Sequence, residues 1–396
     1  MNIFYKLYCR TFQKCLHIAL PFLPYKEPKV INCEKDILNI VQDKTVLLVT
    51  DKMLRRSNLT SSLEQLLKEN GNKVIIYEDT RVNPSVKNVE EAFGLYKKNN
   101  CEAIIAMGGG SSIDLAKGVG SKIAYPHKSL NQMAGILKVL RKTPLLIAIP
   151  TTAGTGSETT VTAVITDEKI KHKYTINSFP LCPDYALLNP EYTYSLPKHL
   201  TAGCGMDVLC HAIEAYIGKS TIKLTRMMAL EAAKLVFDNL EIAYNKPDNY
   251  NARNNMLIAS YKAGIAFSRS YVGYIHAIAH TLGGQYGIAH GHANAIIMPL
   301  ILEGYGSCVY KKLKELAVYC NLCAENTSTK MASEILIGKI RKMNKDMNIP
   351  TLTCIEEKDI DKMAKYALAE ANPLYPVPRI MDLEEIKAYY YKLMEN

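Results

Sequence analysis

Four short apolar runs between residues 45 and 150 alternate with segments of helical periodicity, and this alternation constrains the fold most. The runs are TVLLVT (45–50), KVIIY (73–77), AIIAMG (103–108) and LLIAIP (145–150). Each is a continuous run of mainly apolar residues, as expected of strands buried on both faces of a parallel sheet. The intervening segments SSLEQLLKEN and VKNVEEAFGLYKKN repeat their apolar residues with the helical period. The alternation predicts a doubly wound, mostly parallel α/β sheet built from βαβ units.

A change of pattern near residue 197 divides the chain. VTAVITD and KYTINS predict an added hairpin, and beyond Leu196-Pro197 nearly every segment has helical character interrupted by Gly, Pro or Asn. A chain of 396 residues with 48% hydrophobic content is long enough to fill two cores. We therefore predict an α/β domain over residues 1–197 and an all-α domain over residues 198–396.

The N-terminal stretch of residues 1–27 is amphipathic and cationic. Lys6, Arg10, Lys14 and His17 interrupt its apolar residues, so it is too polar to span a bilayer. A helix that lies on the protein's own surface or on a dimer partner is favoured over attachment to a membrane surface. We predict an amphipathic extension of the first domain.

Composition indicates which kinds of binding partner and which cellular compartment to expect. The net charge is +10, from 48 basic against 38 acidic residues, but no compact basic stripe with interleaved aromatic residues is present. A solvated surface is favoured over a nucleic-acid interface. The eleven cysteines are scattered along the chain, and no secretory signal with a small-residue cleavage site is visible. A cytoplasmic protein with reduced thiols is expected.

Two loops rich in glycine and hydroxyl groups follow predicted strands. GGGSSID (108–114) opens a predicted helix, where glycines permit close backbone approach and the helix N-terminus favours a pyrophosphate. A glycine run alone fits a structural turn equally well, but PTTAGTGSE (150–158) at a second strand end strengthens the binding interpretation. Asp51 ends the first strand, where a carboxylate binds ribose hydroxyls and disfavours a 2′-phosphate. This favours NAD over NADP, unless Asp51 only caps the next helix.

Histidines are concentrated in HAIAHTLGGQYGIAHGHAN (276–294), which holds four of the chain's nine. His276 and His280 are four residues apart and share one face of a helix. The glycines at positions 283, 284 and 287 are predicted to break that helix and turn the chain, so that His290 returns towards His276.

An earlier helix offers a second pair of potential ligands, Asp207 and His211, again four residues apart. Zinc and ferrous iron both accept imidazole and carboxylate ligands. A single histidine is more often a core residue than a ligand, but this joint pattern is less expected by chance. The hypothesis is that Asp207, His211, His276 and His290 bind one metal ion.

From about residue 28 the chain resembles the iron-containing (group III) alcohol dehydrogenase family. The resemblance rests on GGGSSIDLAK, PTTAGTGSE, LPKHLTAGCGMDVLCHAIEAY and HAIAHTLGGQYGIAHGHANAIIMP, in the family's order and spacing. It implies an N-terminal NAD-binding domain, a helical metal-binding domain and an active site in the cleft between them. It also implies a homodimer that transfers a hydride between NAD(H) and a small alcohol or aldehyde.

Position by position, the resemblance makes Asp207, His211, His276 and His290 the metal ligands. It implies Fe²⁺, although these ligand types also admit Zn²⁺. His280 matches an additional histidine near the metal and is our candidate for a proton relay, the alternative being that it orients a ligand. The positions that match cofactor contacts are Asp51, Gly109, Gly110, Ser111, Thr151, Thr152 and Lys173.

Three other functions fit the sequence less well. A lyase of the dehydroquinate-synthase type would need a basic phosphate cluster, but residues 201–215 and 276–292 contain no Arg or Lys. A polyol or hydroxyacid enzyme remains an alternative, although no motif supplies the arginine that a hydroxyacid carboxylate would favour. A non-catalytic metal-binding protein is less expected because all four ligand positions are filled.

Overall fold

The structure is a computed structural model and describes residues 3–168 and 172–395. Its contacts divide the chain into two compact units. One is Pro24–Leu196, and the other joins residues 3–23 to residues 197–395. The strands are β1 (Lys29–Ile31), β2 (Thr45–Val49), β3 (Lys73–Tyr77), β4 (Ala103–Gly108), β5 (Gly135–Ile136), β6 (Leu145–Pro150), β7 (Thr162–Asp167), β8 (His172–Asn177) and β9 (Tyr185–Leu187).

The helices follow the same chain order, and those of the second unit, apart from the first helix, all come after residue 197. They are α1 (Ile3–Ala19), α2 (Glu34–Leu38), α3 (Lys52–Arg56), α4 (Ser61–Glu69), α5 (Val86–Lys98), α6 (Gly110–Ala124), α7 (Lys198–Ile217), α8 (Lys223–Asn245), α9 (Tyr250–Ser270), α10 (Tyr274–Tyr286), α11 (His290–Tyr305), α12 (Tyr310–Tyr319), α13 (Thr329–Asp346), α14 (Glu357–Ala371) and α15 (Leu383–Glu395).

The unit Pro24–Leu196 is built on a six-stranded parallel sheet in the order β1-β9-β6-β4-β2-β3. The four apolar runs form β2, β3, β4 and β6, and the two central strands β6 and β4 are almost wholly buried. β7 and β8 form the expected antiparallel hairpin. The predicted α/β class is confirmed. β1, β5 and β9 were not predicted because strands of two or three residues are too short to show periodicity.

The winding of the sheet reverses beside β2. The chain passes from β2 to β3 on one side, and then returns to β4 on the other side before it continues to β6. Ligands of open α/β sheets bind at the carboxyl ends of the strands that flank such a reversal. Asp51 follows β2 and Gly108 ends β4, so both lie at this edge.

The second unit is helical, as expected, and its other helices pack around α7. This helix is buried almost continuously from Gly205 to Ile217 and packs against α8, α9 and α11. A helix that is apolar on every side is typical of a core position. The boundary between the units falls between Leu196 and Pro197, where the fixed φ of proline precedes the first turn of α7.

The N-terminal segment (residues 3–23) groups with the helical unit, whereas the sequence placed it with the first domain. The guanidinium of Arg10 donates to the carbonyl of Val377 at 2.7 Å, and the amide of Gln13 donates to the carbonyl of Tyr375 at 2.8 Å. These carbonyls lie in a proline-rich segment without regular secondary structure. The polar face of α1 supplies a side-chain donor to each of them.

Arg10→Ala is expected to lower the free energy of unfolding of the helical unit by about 1–2 kcal/mol, because it removes a charged donor from backbone acceptors. Circular dichroism during chemical denaturation measures the effect, since the chain contains no tryptophan. Lys14→Ala, on the exposed side of the same helix, is the control and should change stability by less than about 0.5 kcal/mol. Equal losses in both variants would contradict this account of how α1 binds.

Candidate metal centre and cofactor loops

Three helices bring the four predicted metal ligands together. Asp207 and His211 lie one turn apart on α7, His276 lies in the first turn of α10, and His290 begins α11. The Oδ1 atom of Asp207 is 3.5 Å from Nε2 of His290 and 3.6 Å from Nε2 of His276. It is 4.0 Å from Nδ1 of His211. One carboxylate oxygen thus faces three imidazole nitrogens.

The separations within this cluster fit a bound divalent cation. All four ligand atoms lie within 4.8 Å of one another. Two ligand atoms, each about 2.1 Å from a tetrahedral metal ion, are about 3.4 Å apart. Burial raises the pKa of Asp207, but the neighbouring imidazoles, His211 foremost, outweigh it and hold that pKa well below its usual value. The carboxylate is therefore ionised, as a metal ligand must be.

Glu214 fixes the orientation of His276 from outside the cluster. Its carboxylate accepts a hydrogen bond from Nδ1 of His276 at 2.6 Å and others from the backbone N–H groups of Gly273 and Ile275. With Nδ1 engaged, the Nε2 lone pair of His276 faces the cluster, as is usual for metal-binding histidines. Sequence reasoning missed Glu214, although it follows His211 by three residues on the same buried helix.

Asn294 was also missed, although it follows His290 by one helical turn. This fully buried amide donates to Oδ1 of Asp207 at 2.7 Å, and the same nitrogen lies 3.1 Å from Nε2 of His290. It therefore ties α11 to α7 at the cluster. A polar residue at i+4 from a candidate ligand was the signal in the sequence.

His280 lies beside the cluster but is not part of it. Its ring is exposed and stacks on the ring of His290, with 5.0 Å between centroids. Its Nδ1 is 2.6 Å from Oε1 of Glu370, which also accepts a hydrogen bond from the hydroxyl of Tyr375 at 2.7 Å. This geometry holds the imidazole in one orientation next to solvent. No sequence signal pointed to Glu370, because it is 90 residues away from His280.

Only one of the three glycines expected to break the histidine helix does so. α10 continues through positions 283 and 284 to Tyr286 and ends at Gly287, whose φ is +71°. The expectation was wrong for Gly283 and Gly284 because glycine inside a helix costs only about 1 kcal/mol. The left-handed conformation at Gly287 is what terminates the helix.

A close approach of two backbones places His290 opposite α7. A Cβ atom added to Gly291 would lie 2.2 Å from the carbonyl oxygen of Gly203. No real Cβ atom tolerates such a contact, so α11 and α7 can approach this closely only with glycine at position 291.

Gly291→Ala is expected to displace α11 from α7, which destabilises the unit by about 1–3 kcal/mol and moves His290 away from Asp207. Metal retention should fall with stability. Gly284→Ala is the control, because a Cβ atom there meets nothing within 4 Å. It should leave stability unchanged or raise it by up to about 1 kcal/mol. Thermal melts and metal content measure both effects, and a fully metal-loaded Gly291→Ala variant would contradict the prediction.

The two glycine loops meet at the carboxyl ends of β4 and β6. Gly109 caps the N-terminus of α6, which begins at Gly110 directly after β4. The backbone N–H of Thr151 donates to the carbonyl of Gly108 at 3.0 Å and joins the loops. A Cβ atom on Gly110 would lie 2.7 Å from the hydroxyl of Thr155. The loops and the helix N-terminus form a cradle that fits a dinucleotide pyrophosphate.

Three further predicted cofactor contacts lie around this cradle. Ser111 accepts a hydrogen bond from the backbone N–H of Asn83 at 3.3 Å, and the ammonium group of Lys173 donates to the Asn83 side chain at 2.8 Å. Asn83 thereby brings Lys173 to the start of α6. The side chain of Thr152 lies 3.5 Å from the position of a Cβ atom on Gly109, on the other side of the loop.

Asp51 caps the helix that follows it. Its Oδ1 atom accepts hydrogen bonds from the backbone N–H groups of Met53 at 2.8 Å and Leu54 at 3.0 Å. The capping alternative therefore holds in the structure. These bonds fix the carboxylate at the carboxyl end of β2, and its contact with a ribose remains a prediction.

Lys117 was not singled out in the sequence, but it holds the second loop in place. This fully buried ammonium donates to the carbonyl of Ser157 at 2.6 Å, the hydroxyl of Thr160 at 2.7 Å and the carbonyl of Thr162 at 2.8 Å. Burial lowers its pKa, and the charge of Asp114 opposes that shift. The available signal was a lysine three residues after Asp114, among the small and apolar residues that follow the first glycine loop.

A doubly wound unit with glycine loops and a helical unit with a three-histidine, one-aspartate cluster are together typical of metal-dependent dehydrogenases. The sequence matches the family model for iron-containing alcohol dehydrogenase over residues 27–190. It matches the model for the C-terminal part of the Fe-containing alcohol dehydrogenase family over residues 201–394. The chain belongs to the iron-containing alcohol dehydrogenase family, as its motifs predicted.

Characterised relatives agree with this assignment. The 1,3-propanediol dehydrogenase of Citrobacter freundii is 34% identical over 359 residues, which cover 89% of this chain and 92% of the relative. The NAD-dependent methanol dehydrogenase of Bacillus methanolicus is 34% identical over 356 residues, covering 87% and 91%. The crystal structure of a 1,3-propanediol oxidoreductase superposes with a TM-score of 0.88 at 33% identity, covering 93% and 99%. The chain is an alcohol dehydrogenase or aldehyde reductase.

Proposed function

We propose that the chain transfers a hydride between NAD(H) and a small alcohol or aldehyde, with a divalent metal held by Asp207, His211, His276 and His290. The observation that carries this proposal is the convergence of one carboxylate oxygen and three imidazole nitrogens within 4.8 Å. A bound divalent ion would act as a Lewis acid on the substrate oxygen, while the nicotinamide exchanges the hydride. The family favours iron as the ion, and Zn²⁺ is the alternative.

Asp51 supports NAD rather than NADP as the cofactor. The backbone N–H groups that follow it hold its carboxylate at the edge where β2 and β4 end. A carboxylate at this point of a doubly wound sheet accepts hydrogen bonds from ribose hydroxyls and repels a 2′-phosphate. The cradle of Gly109, Gly110 and Ser111 would bind the pyrophosphate, with Thr151 and Thr152 on the adjoining loop.

His280 would accept the proton of the substrate oxygen when an alcohol is oxidised. In the reverse direction it would supply a proton to that oxygen. Its Nδ1 is held by Glu370, so its Nε2 can exchange a proton with substrate or water. The named substrates of the relatives, 1,3-propanediol and methanol, indicate short alcohols as the first compounds to test. A cytoplasmic location, expected from the scattered cysteines, and a homodimer, expected from the family, remain predictions.

The test is NADH oxidation by purified protein that has been stripped of metal and then reloaded with Fe²⁺ or Zn²⁺. Short aldehydes and ketones form the substrate panel, and NADPH is compared with NADH on the best of them. We expect oxidation that depends on added metal and is at least about tenfold faster with NADH. Absence of metal-dependent oxidation with every substrate would refute the proposal, whereas a preference for NADPH would refute only the role of Asp51.

A further inference from the structure

α1 presents its apolar face to solvent, which is the reverse of what an amphipathic surface helix usually does. Cys9 and Gln13 are buried against the helical unit, and the side chain of Gln13 is hydrogen-bonded there. On the opposite side, Phe4 is 75% exposed and Leu7 is 64% exposed. The protein therefore uses the polar face of this helix for its own packing and leaves the apolar face uncovered.

The exposed apolar residues lie along one side of the helix. Phe4, Tyr8 and Phe12 follow one another at intervals of four, and Leu7 lies three after Phe4, so these four share one face, and Ile18 and Phe22 extend the same side towards the turn that follows. Scattered apolar residues on a surface are ordinary, but a contiguous row of this length marks an interaction site. This apolar stripe consists of Phe4, Leu7, Tyr8, Phe12, Ile18 and Phe22, with Ile3 at its start.

The charge beside the apolar stripe has a single sign. Residues 3–23 contain no Asp or Glu, whereas Lys6 and Lys14 lie on the same helix and Lys14 is exposed. Aromatic and aliphatic side chains flanked by lysines, without acidic residues, are typical of helices that lie in the interface of an anionic bilayer. In the part of the chain that the structure describes, no helix is long and apolar enough to cross a membrane.

A second copy of the chain fits this face less well than a lipid surface does. A helix of 17 residues is about 25 Å long, so a face about 10 Å wide offers about 250 Å², against about 800 Å² per partner in a stable dimer. A symmetric contact would also bring two cationic helices together with no acidic residue on either. A bilayer imposes no such area requirement, and its anionic head groups complement the lysines.

We propose that α1 anchors the protein peripherally to an anionic phospholipid surface, with the apolar stripe at the level of the head groups. Arg10 and Gln13 hold the helix on the protein with its apolar face outward, so binding requires no rearrangement. Sequence reasoning favoured packing on the protein's own surface or on a dimer partner. In the structure, the polar face of α1 packs on the protein's own surface, and the apolar face does not. This proposal is independent of the cofactor and the substrate.

Co-sedimentation of the full-length protein with vesicles tests the proposal. Vesicles of phosphatidylcholine alone are compared with vesicles that also contain phosphatidylglycerol, at low and high salt. We expect binding to the anionic vesicles that weakens as salt screens the lysines. The variant Phe4→Ser/Leu7→Ser/Phe12→Ser should partition at least about tenfold less. The control, Ile242→Ser/Met331→Ser/Tyr366→Ser, removes apolar side chains exposed elsewhere on the helical unit and should bind unchanged.

A second variant, Lys6→Glu/Lys14→Glu, tests the charge and should lose the preference for anionic vesicles. Failure of the unmodified protein to bind anionic vesicles would overturn the proposal, as would equal binding by the triple stripe variant. Sedimentation velocity tests the alternative that a second copy of the chain covers the apolar stripe. If the stripe variant lowers the oligomeric mass while no form binds vesicles, the apolar stripe contacts a second copy and the lipid proposal fails.

Discussion

Asp207→Ala and His276→Ala are each expected to abolish metal retention and dehydrogenase activity together. Asp207 supplies the one carboxylate oxygen of the cluster, 3.5–4.0 Å from three imidazole nitrogens, and is almost fully buried. Its loss leaves neutral nitrogen donors without the charge that offsets the desolvation of a divalent ion. We expect metal affinity to fall more than about a hundredfold, beyond the effect typical of residues that only orient a ligand. Elemental analysis after gel filtration, with NADH oxidation in parallel, measures both losses.

Two variants calibrate this experiment. Glu214→Gln removes the charge that orients His276 but leaves every ligand in place, so its metal affinity should fall by an intermediate factor of about 10–100. His292→Ala removes a histidine of the same motif whose ring bonds only to the carbonyl of Pro350 among the described contacts, and it should keep both metal and activity. Full metal occupancy in His276→Ala would show that the cluster is not the metal site.

Periodicity located the sheet because it reports burial directly. β2, β4 and β6 are apolar in sequence because they are covered on both sides, whereas β3, at the edge of the sheet, is only partly buried. The bounds of all four strands agree with the predicted runs to within one residue. The same reasoning could not find β1 or β9. β9 pairs with β6, and β1 pairs with β9. Both three-residue strands therefore gain their order from tertiary pairing, which local sequence does not show.

The ligand pairs were predictable for a local reason, whereas their surroundings were not. Residues four apart on a helix share a face wherever that helix lies, so Asp207 and His211 could be paired before the fold was known. The partner of His280 is Glu370 on α14, which only the packing of α10 against α14 brings near. Local pattern also misassigned α1. Amphipathicity indicates that a helix has two faces, but not which face the protein covers.

His280→Ala is expected to keep its metal and lose turnover by a factor of about 10²–10⁴, the range typical of a general acid–base group. The ring lies outside the cluster, is open to solvent and is fixed by Glu370, so its removal deletes no predicted ligand. Metal content and kcat are measured on the same preparation. Loss of metal in His280→Ala would instead make this histidine a ligand or its support.

A residue that merely orients His290 and one that carries a proton predict different kinetics for His280→Ala. If His280 relays the proton, added imidazole should restore part of kcat in His280→Ala. Glu370→Gln should lower kcat less, because the amide still accepts a hydrogen bond from Nδ1 but no longer stabilises the imidazolium. If His280 only positions its neighbour, imidazole should not rescue turnover, and KM should rise with kcat little changed.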